Sequence, residues 1–251
     1  MSELATKDFG GEGAPLLLLH GGGATASAMT PLAEALLDRH RVVGVDLPGH
    51  GLSPDADWGW DAVIAALDDV VRTKDLGAPI VVGHSLGGML ATLWADTHQD
   101  CPAAVSLDGN PAVRGPEQLP GLADADAEFA RLQAAFDALE AAMAEGDMRP
   151  SATLVAQLRR AMAELNLVPV YARLRVPLLL VLATEDMPEQ QPFHALYTAH
   201  RAFLLAQVTE AARRNPLLTV EALVGATHAA AITEPARIAD LITRFVRAAQ
   251  P

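Results

Sequence analysis

A single cysteine, Cys101, stands in a chain of 251 residues. No intrachain disulfide can form, nothing ties the fold to an oxidising compartment, and a metal site built on two or more cysteines of one chain is excluded. Aromatic residues make up only 4% of the chain while alanine and leucine abound, which suggests helices packed closely through small side chains. Basic residues are in deficit, 18 Lys and Arg against 31 Asp and Glu, for a net charge of −13. Nucleic acid or an anionic membrane would on average repel such a chain, so neither is an expected partner. Long apolar runs are missing too. The run 16–19 is four leucines that end at His20 and follow a polar, acidic stretch; it reads as neither a signal peptide nor a membrane span, and the expected location is cytoplasmic. No repeat of fixed period and no low-complexity segment is visible. What is present is an apolar half, 51% of residues, with 20% charged, enough to bury a sizeable core in one soluble domain or one domain with a smaller insertion.

Short apolar runs set the rhythm of the chain: 15–19, 41–45, 79–82, 103–107, 177–182 and 217–224. Continuous Val, Leu and Ile runs of this length read as strands covered on both faces. Helix-length amphipathic stretches fill the gaps at 30–39, 61–76, 86–98, 189–214 and 234–249. The alternation predicts an α/β fold with a doubly wound, mainly parallel sheet flanked by helices.

One stretch breaks the rhythm. Phe129, Leu132, Phe136, Leu139 and Met143 recur at intervals of three and four, and Leu154, Leu158, Met162 and Leu165 repeat the pattern after Pro150-Ser151. Two amphipathic helices are expected, packed on each other and on the core. Residues 1–108 and 177–251 then form the core, and 109–176 a helical cap inserted late in the sheet.

The most informative string is Val81-Val82-Gly83-His84-Ser85-Leu86-Gly87-Gly88. Gly-x-Ser-x-Gly alone arises by chance, and a serine there could simply cap a helix. Between a buried strand and a helix it has a sharper meaning: the chain must turn abruptly, leaving the serine exposed at the C-terminal edge of the sheet, with glycines two positions either side where a Cβ would collide. The helix that follows aims its free N–H groups at the same place.

Four motifs in order resemble the α/β-hydrolase fold family over nearly the whole chain. Leu16-Leu17-Leu18-Leu19-His20-Gly21-Gly22-Gly23 is similar to its oxyanion loop, Asp46-Leu47-Pro48-Gly49-His50-Gly51-Leu52-Ser53 to its next strand-end turn, 83–88 to its nucleophile elbow, and Val224-Gly225-Ala226-Thr227-His228 to its histidine loop. The resemblance implies Ser85 as nucleophile, His228 as general base, and the backbone N–H groups of Gly22 and Leu86 as the oxyanion hole. Two aspartates satisfy the family's chain order for the acid that orients the histidine. Asp186 follows the penultimate strand, where most members carry it; Asp108, 23 residues after Ser85, ends the preceding strand, where a minority do. Glu185 is a third choice. His20 arrives so early that 2–9 can supply one short strand or an abbreviated hairpin, so a sheet of six to eight strands is expected.

His20, His50 and His84 all fall near strand ends, but without metal-ligand spacing; His20 and His50 are expected to bond neighbouring loops, and His194 and His200 to be surface or packing residues. Gly21-Gly22-Gly23 is not a dinucleotide loop and there is no phosphate-binding loop, so no cofactor and no metal is implied. A serine at the elbow argues against epoxide hydrolysis and dehalogenation, which in this family use a carboxylate nucleophile. The expected activity is cleavage of a carboxylic ester, lactone or thioester of a largely apolar small molecule, under a pocket roofed by Met143, Met148 and Met162. Carbon–carbon bond hydrolysis, perhydrolysis, a lyase or cyclase step, or a receptor that keeps the triad for sensing would use the same residues. The oligomeric state is left open.

Overall fold

The computed structural model describes residues 3–144 and 149–249. In chain order the elements are β1 (Thr6–Gly10), β2 (Ala14–Leu19), α1 (Thr30–Glu34), β3 (His40–Val45), α2 (Trp60–Thr73), β4 (Ile80–His84), α3 (Leu86–Thr97), β5 (Ala104–Leu107), α4 (Ala125–Ala144), α5 (Ala152–Glu164), α6 (Val168–Arg173), β6 (Leu178–Glu185), α7 (His194–Arg214), β7 (Leu218–Thr227), α8 (Ala230–Thr233) and α9 (Pro235–Ala249). Among the described residues the strands form one seven-stranded sheet in the order β1-β3-β2-β4-β5-β6-β7. Only the β1–β3 pair is antiparallel. The doubly wound, mainly parallel sheet is as expected, and the short N-terminal strand is β1.

Helices cover both faces of the inner strands, whereas the 217–224 run, expected to be covered on both faces, forms the edge strand β7, in which Thr219, Glu221, Ala222 and Val224 are exposed. Leu17 and Leu19 of β2 join a core with α2, α3, α6 and α7, while Leu16 and Leu18 point the other way into a core with α1, α8 and α9. A Leu buried in either contributes about 1.5–3 kcal/mol. Helix α3 is the innermost: Leu86, Gly87, Gly88, Met89, Leu90, Ala91, Trp94 and Ala95 are all buried, and its small residues let it approach the sheet. Register then positions the site. Leu19 pairs with Val45 and with Gly83, and His84 with Leu107, so the residues that follow these strands, His20, Asp46, Ser85 and Asp108, emerge along one edge. Strand order reverses between β2 and β4, and the crevice at the carboxyl ends of such a switch point is where open α/β sheets bind ligands.

Between β5 and β6 the described residues carry the helices α4, α5 and α6, but the apolar stripes are not used evenly. Leu132 of α4 joins Val113, Leu119 and Leu196 in a small third core, whereas Phe136 and Leu139 are exposed. The α4 stripe therefore packs over only part of its length, and Arg159 of α5, tied to Asp137 and Glu140, lies over the Phe136 ring. On α5, Leu154 and Leu158 are buried in the first core, and Met162 and Leu165 pack against that core. The Met143 side chain and Met148 lie outside the described residues. Two expected helices are shorter than their patterns: α1 stops at Glu34, and the 189–214 stretch begins as a 3-10 turn, Pro188–Phe193, becoming α-helical only at His194. Pro192 has no N–H to donate and its ring clashes with the carbonyl four residues back.

Five histidines are buried in this frame, His20, His40, His50, His84 and His200, and desolvation lowers all five imidazoles. In His20, His84 and His200 burial pushes the imidazole from 6.5 down to about 4. Unfolded, each takes its proton near pH 6.5; folded, none does until about pH 4. The unfolded state therefore binds more protons inside that window, so stability is complete above it and falls as the pH drops through it, by up to about 3 kcal/mol for a shift of this size. The urea midpoint should decline steadily from pH 7 to pH 4, and His200→Leu should flatten part of the slope. A midpoint constant across the window would contradict the burial of these rings.

Candidate active site

Strand β4 ends at His84, and Ser85 turns the chain with φ 54° and ψ −116° before α3 begins. A positive φ on a residue with a Cβ costs on the order of 1–3 kcal/mol and persists only where its surroundings over-determine it. They do here. A Cβ on Gly83 would strike the backbone of Gly87, and one on Gly87 would stand 2.5 Å from the Leu19 carbonyl oxygen. The Ser85 N–H donates to the Leu107 carbonyl at 2.9 Å, and Gly87 N–H donates to His20 O at 3.1 Å. The serine side chain makes no capping bond to α3, so its hydroxyl is not engaged as a helix cap. The glycine loop after β2 lies alongside: a Cβ on Gly21 would be 3.1 Å from Ser85 Cβ, and one on Gly22 would be 3.9 Å from Leu86 Cδ2. Ser85, Gly22 and Leu86 are thus neighbours.

His228 sits on the turn after β7, with its Nδ1 2.6 Å from Asp108 Oδ2. Asp108 has its own positive φ, 51°, which aims the carboxylate back over the sheet edge. Its Oδ1 accepts from Ala183 N–H of β6 at 3.0 Å and from Asn110 Nδ2 at 2.8 Å. Three donors from three segments fix one carboxylate. On the other side of the ring, His84 Nε2 donates to the His228 carbonyl oxygen at 2.7 Å, and the two rings lie 4.7 Å apart. A carbonyl only accepts, so His84 carries its proton on Nε2; burial, with the neighbouring His228 adding to it, keeps the ring neutral. His84 and Asn110 were not singled out for these roles in the sequence; Asn110, two residues after Asp108, is the one with a local signal, since Asx side chains bond groups two positions away.

Asp186 goes elsewhere. Its Oδ1 takes Arg201 Nη1 at 2.6 Å and its Oδ2 takes His194 Nδ1 at 2.5 Å. Burial alone would raise this carboxyl, but the bonds from His194 and Arg201 outweigh it and hold it below the usual carboxylate range. Glu185 is exposed at the end of β6, where it pairs with Thr227. Of the three acids, only Asp108 bonds His228.

The remaining histidines are held by loops. Leu47 N–H donates to His20 Nε2 at 3.0 Å, leaving Nδ1 to donate to Gly21 O at 2.7 Å. This bond pair ties the glycine loop after β2 to the turn after β3. His50 Nδ1 donates to Pro48 O at 2.9 Å. Asp46, buried at the same turn, accepts from Ala26 N–H at 2.7 Å and Leu52 N–H at 2.9 Å. His194 is at the surface on Asp186, and His200 is buried. Among the described residues no group of three or more His, Cys, Asp or Glu is placed to hold a metal ion, and no helix is long and apolar enough to cross a membrane.

The 2-(acetamidomethylene)succinate hydrolase of Mesorhizobium japonicum is 27% identical over 95% of this chain and 90% of its own length. A crystal structure of E-2-(acetamidomethylene)succinate hydrolase superposes with a TM-score of 0.71 at 26% identity, covering 97% of this chain and 95% of that one. A pimeloyl-[acyl-carrier protein] methyl ester esterase of Chromobacterium violaceum is 37% identical, over 39% of this chain and 37% of its own. The enol-lactonase of Burkholderia xenovorans LB400, with a TM-score of 0.70 at 19% identity over 97% of this chain and 96% of that one, shares the fold. A sequence model of the alpha/beta hydrolase family matches residues 16–241, nearly the whole of the sheet and both elements that carry Ser85 and His228, and the chain belongs to that family.

Proposed function

We propose that the protein is a serine hydrolase that cleaves a carboxylic ester, lactone or thioester of a largely apolar small molecule through an acyl-enzyme on Ser85. The observation that carries this reading is the 2.6 Å Asp108–His228 pair, whose histidine is bonded through its carbonyl oxygen to His84, the residue next to a serine held at positive φ on a strand-to-helix turn. His228 donates through Nδ1 to Asp108, which leaves Nε2 as the lone-pair nitrogen. That nitrogen takes the Ser85 proton as the hydroxyl oxygen attacks the carbonyl carbon. The oxyanion faces the Gly22 and Leu86 N–H groups, each such donor contributing about 2.7–4 kcal/mol in related sites. The tetrahedral species collapses, the imidazolium gives its proton to the leaving alkoxide or thiolate, and water then repeats the sequence on the acyl-enzyme. Asp108 stays ionised throughout and stabilises the imidazolium. Residues 109–176 act as the cap over this edge, with Leu154 of α5 packed where a Cβ on Gly49 would stand; the one cysteine fits a cytoplasmic setting.

A second reading comes from the relative that matches 95% of the chain, which is named for a succinate carrying an acetamidomethylene group. On that reading the scissile bond is an enamide and the substrate carries carboxylates, with the same nucleophile and base.

Turnover of 4-nitrophenyl butyrate and labelling by a fluorophosphonate test the first reading directly. Wild type should do both and Ser85→Ala neither; intact wild type that does neither overturns it. For the acid, Asp108→Ala should lower kcat roughly ten-thousand-fold, as loss of the orienting carboxylate does in such triads. Asp186→Ala should stay within about tenfold in kcat while lowering Tm, because it strips Arg201 of its partner. The opposite pattern would move the acid to Asp186.

A further inference from the structure

We propose a second small-molecule site in the cleft between α7 and the β6–β7 edge, one that takes a small monocarboxylic acid with an apolar tail. The cleft encloses about 390 Å³, within the size range of small-molecule pockets. Small residues border it where α7 runs beside the sheet: Ala202 of α7 and Ala222 of β7, which pairs with Leu182 across the strands, both line the space. Leu182, Leu204 and Leu205 complete an apolar floor. Leu205 is a large apolar side chain left exposed at 43%, as expected of a wall that a ligand covers.

One end of the cleft is basic. Arg201 is oriented by Asp186, which takes its Nη1, while its Nη2 reaches the Thr198 hydroxyl at 3.4 Å. Arg201, Thr198 and His194 all line the space, and a guanidinium has five N–H donors in a fixed fork, so donors remain for an incoming carboxylate. Behind them the charges of Arg201 and Arg114 both act on buried His200, and among the described residues Arg114 Nε and His200 Nε2 have no hydrogen-bond partner. A chain with a net charge of −13 thus gathers basic groups at one point. Glu185 stands on the exposed side and disfavours a second carboxylate, which selects a monoacid over a diacid.

The cleft is not the reacting centre. Neither Ser85 nor His228 lines it, but Asn110 and Ala183 do, and these are the two residues that hold Asp108 Oδ1. A ligand here touches what orients the acid and leaves the substrate crevice free. Occupancy should therefore lower kcat for ester turnover with KM unchanged, an effect that rests on the hydrolase reading; binding itself does not.

Hexanoate is the probe and hexanamide its neutral control, with binding read by calorimetry on wild-type protein, on protein labelled at Ser85 by a fluorophosphonate, and on Ala202→Leu and Ala222→Val, which fill the cleft without touching a charge. Hexanoate should bind wild type and labelled protein equally, hexanamide at least tenfold more weakly, and either filled variant at least tenfold more weakly than wild type. Absence of hexanoate binding, equal binding of the amide, unchanged binding by both filled variants, or loss of binding on labelling of Ser85 would each overturn the proposal. The filled-variant comparison needs no turnover, so a failure of the hydrolase reading alone would leave a positive binding result standing.

Discussion

Strand β4 and the first turn of α3 meet with no room for a side chain between them, and the rest of the site depends on that contact. Gly83 lies against the Gly87 backbone, and Gly87 in turn against the end of β2. With the two backbones this close, the single residue that joins strand to helix has no ordinary conformation available, and Ser85 takes φ 54°. The strain is local and is offset by a helix buried along most of its length, whose apolar burial is worth several times the backbone cost. The same contact brings the start of α3 beside Gly21 and Gly22, so the N–H groups at the start of α3 and the glycine loop share one small volume.

A second constraint is electrostatic. Asp108 emerges from β5, is bonded by an N–H of β6 and by Asn110, and holds the histidine that follows β7. One carboxylate therefore ties together the ends of three adjacent strands. His84 fixes the other side of His228 through its backbone oxygen, and because His84 is neutral it does so without placing a second positive charge beside the imidazolium that would form in turnover.

The inner strands were legible from the sequence because a run of Leu or Val with no polar alternation is stable as a strand when it is covered on both faces. The elbow was legible because glycines two positions either side of a serine, at a strand end, have a steric reason. The acid was not. Asp108 and Asp186 each follow a strand and precede a turn, and what separates them is Arg201, fifteen positions beyond Asp186 and on another element. Periodicity likewise overstated α4: Phe136 and Leu139 have the spacing of a buried stripe, yet both are exposed, and what lies over the Phe136 ring is the polar end of Arg159. The spacing of apolar residues says which face a helix could bury, and only the tertiary arrangement says how far a neighbour extends along it. The early end of α1 is of the same kind, with no breaker residue to announce it.

Two aspartates at the edge of one sheet also raise a question of competition. A carboxylate buried without a partner pays a desolvation penalty of several kcal/mol, so Asp186, with its side chain only 1% exposed, would have to find a cation or take up a proton. Arg201 and His194 supply the partners, and in doing so they keep this acid ionised and away from His228. The geometry at Asp108 is thereby protected by an ion pair that never touches it. The arrangement also explains why α7 begins where it does: the 3-10 turn at Pro188–Phe193 carries the chain far enough for His194 to reach back to Asp186 and for Arg201, two turns further, to meet the same carboxylate from the helix face that borders the cleft.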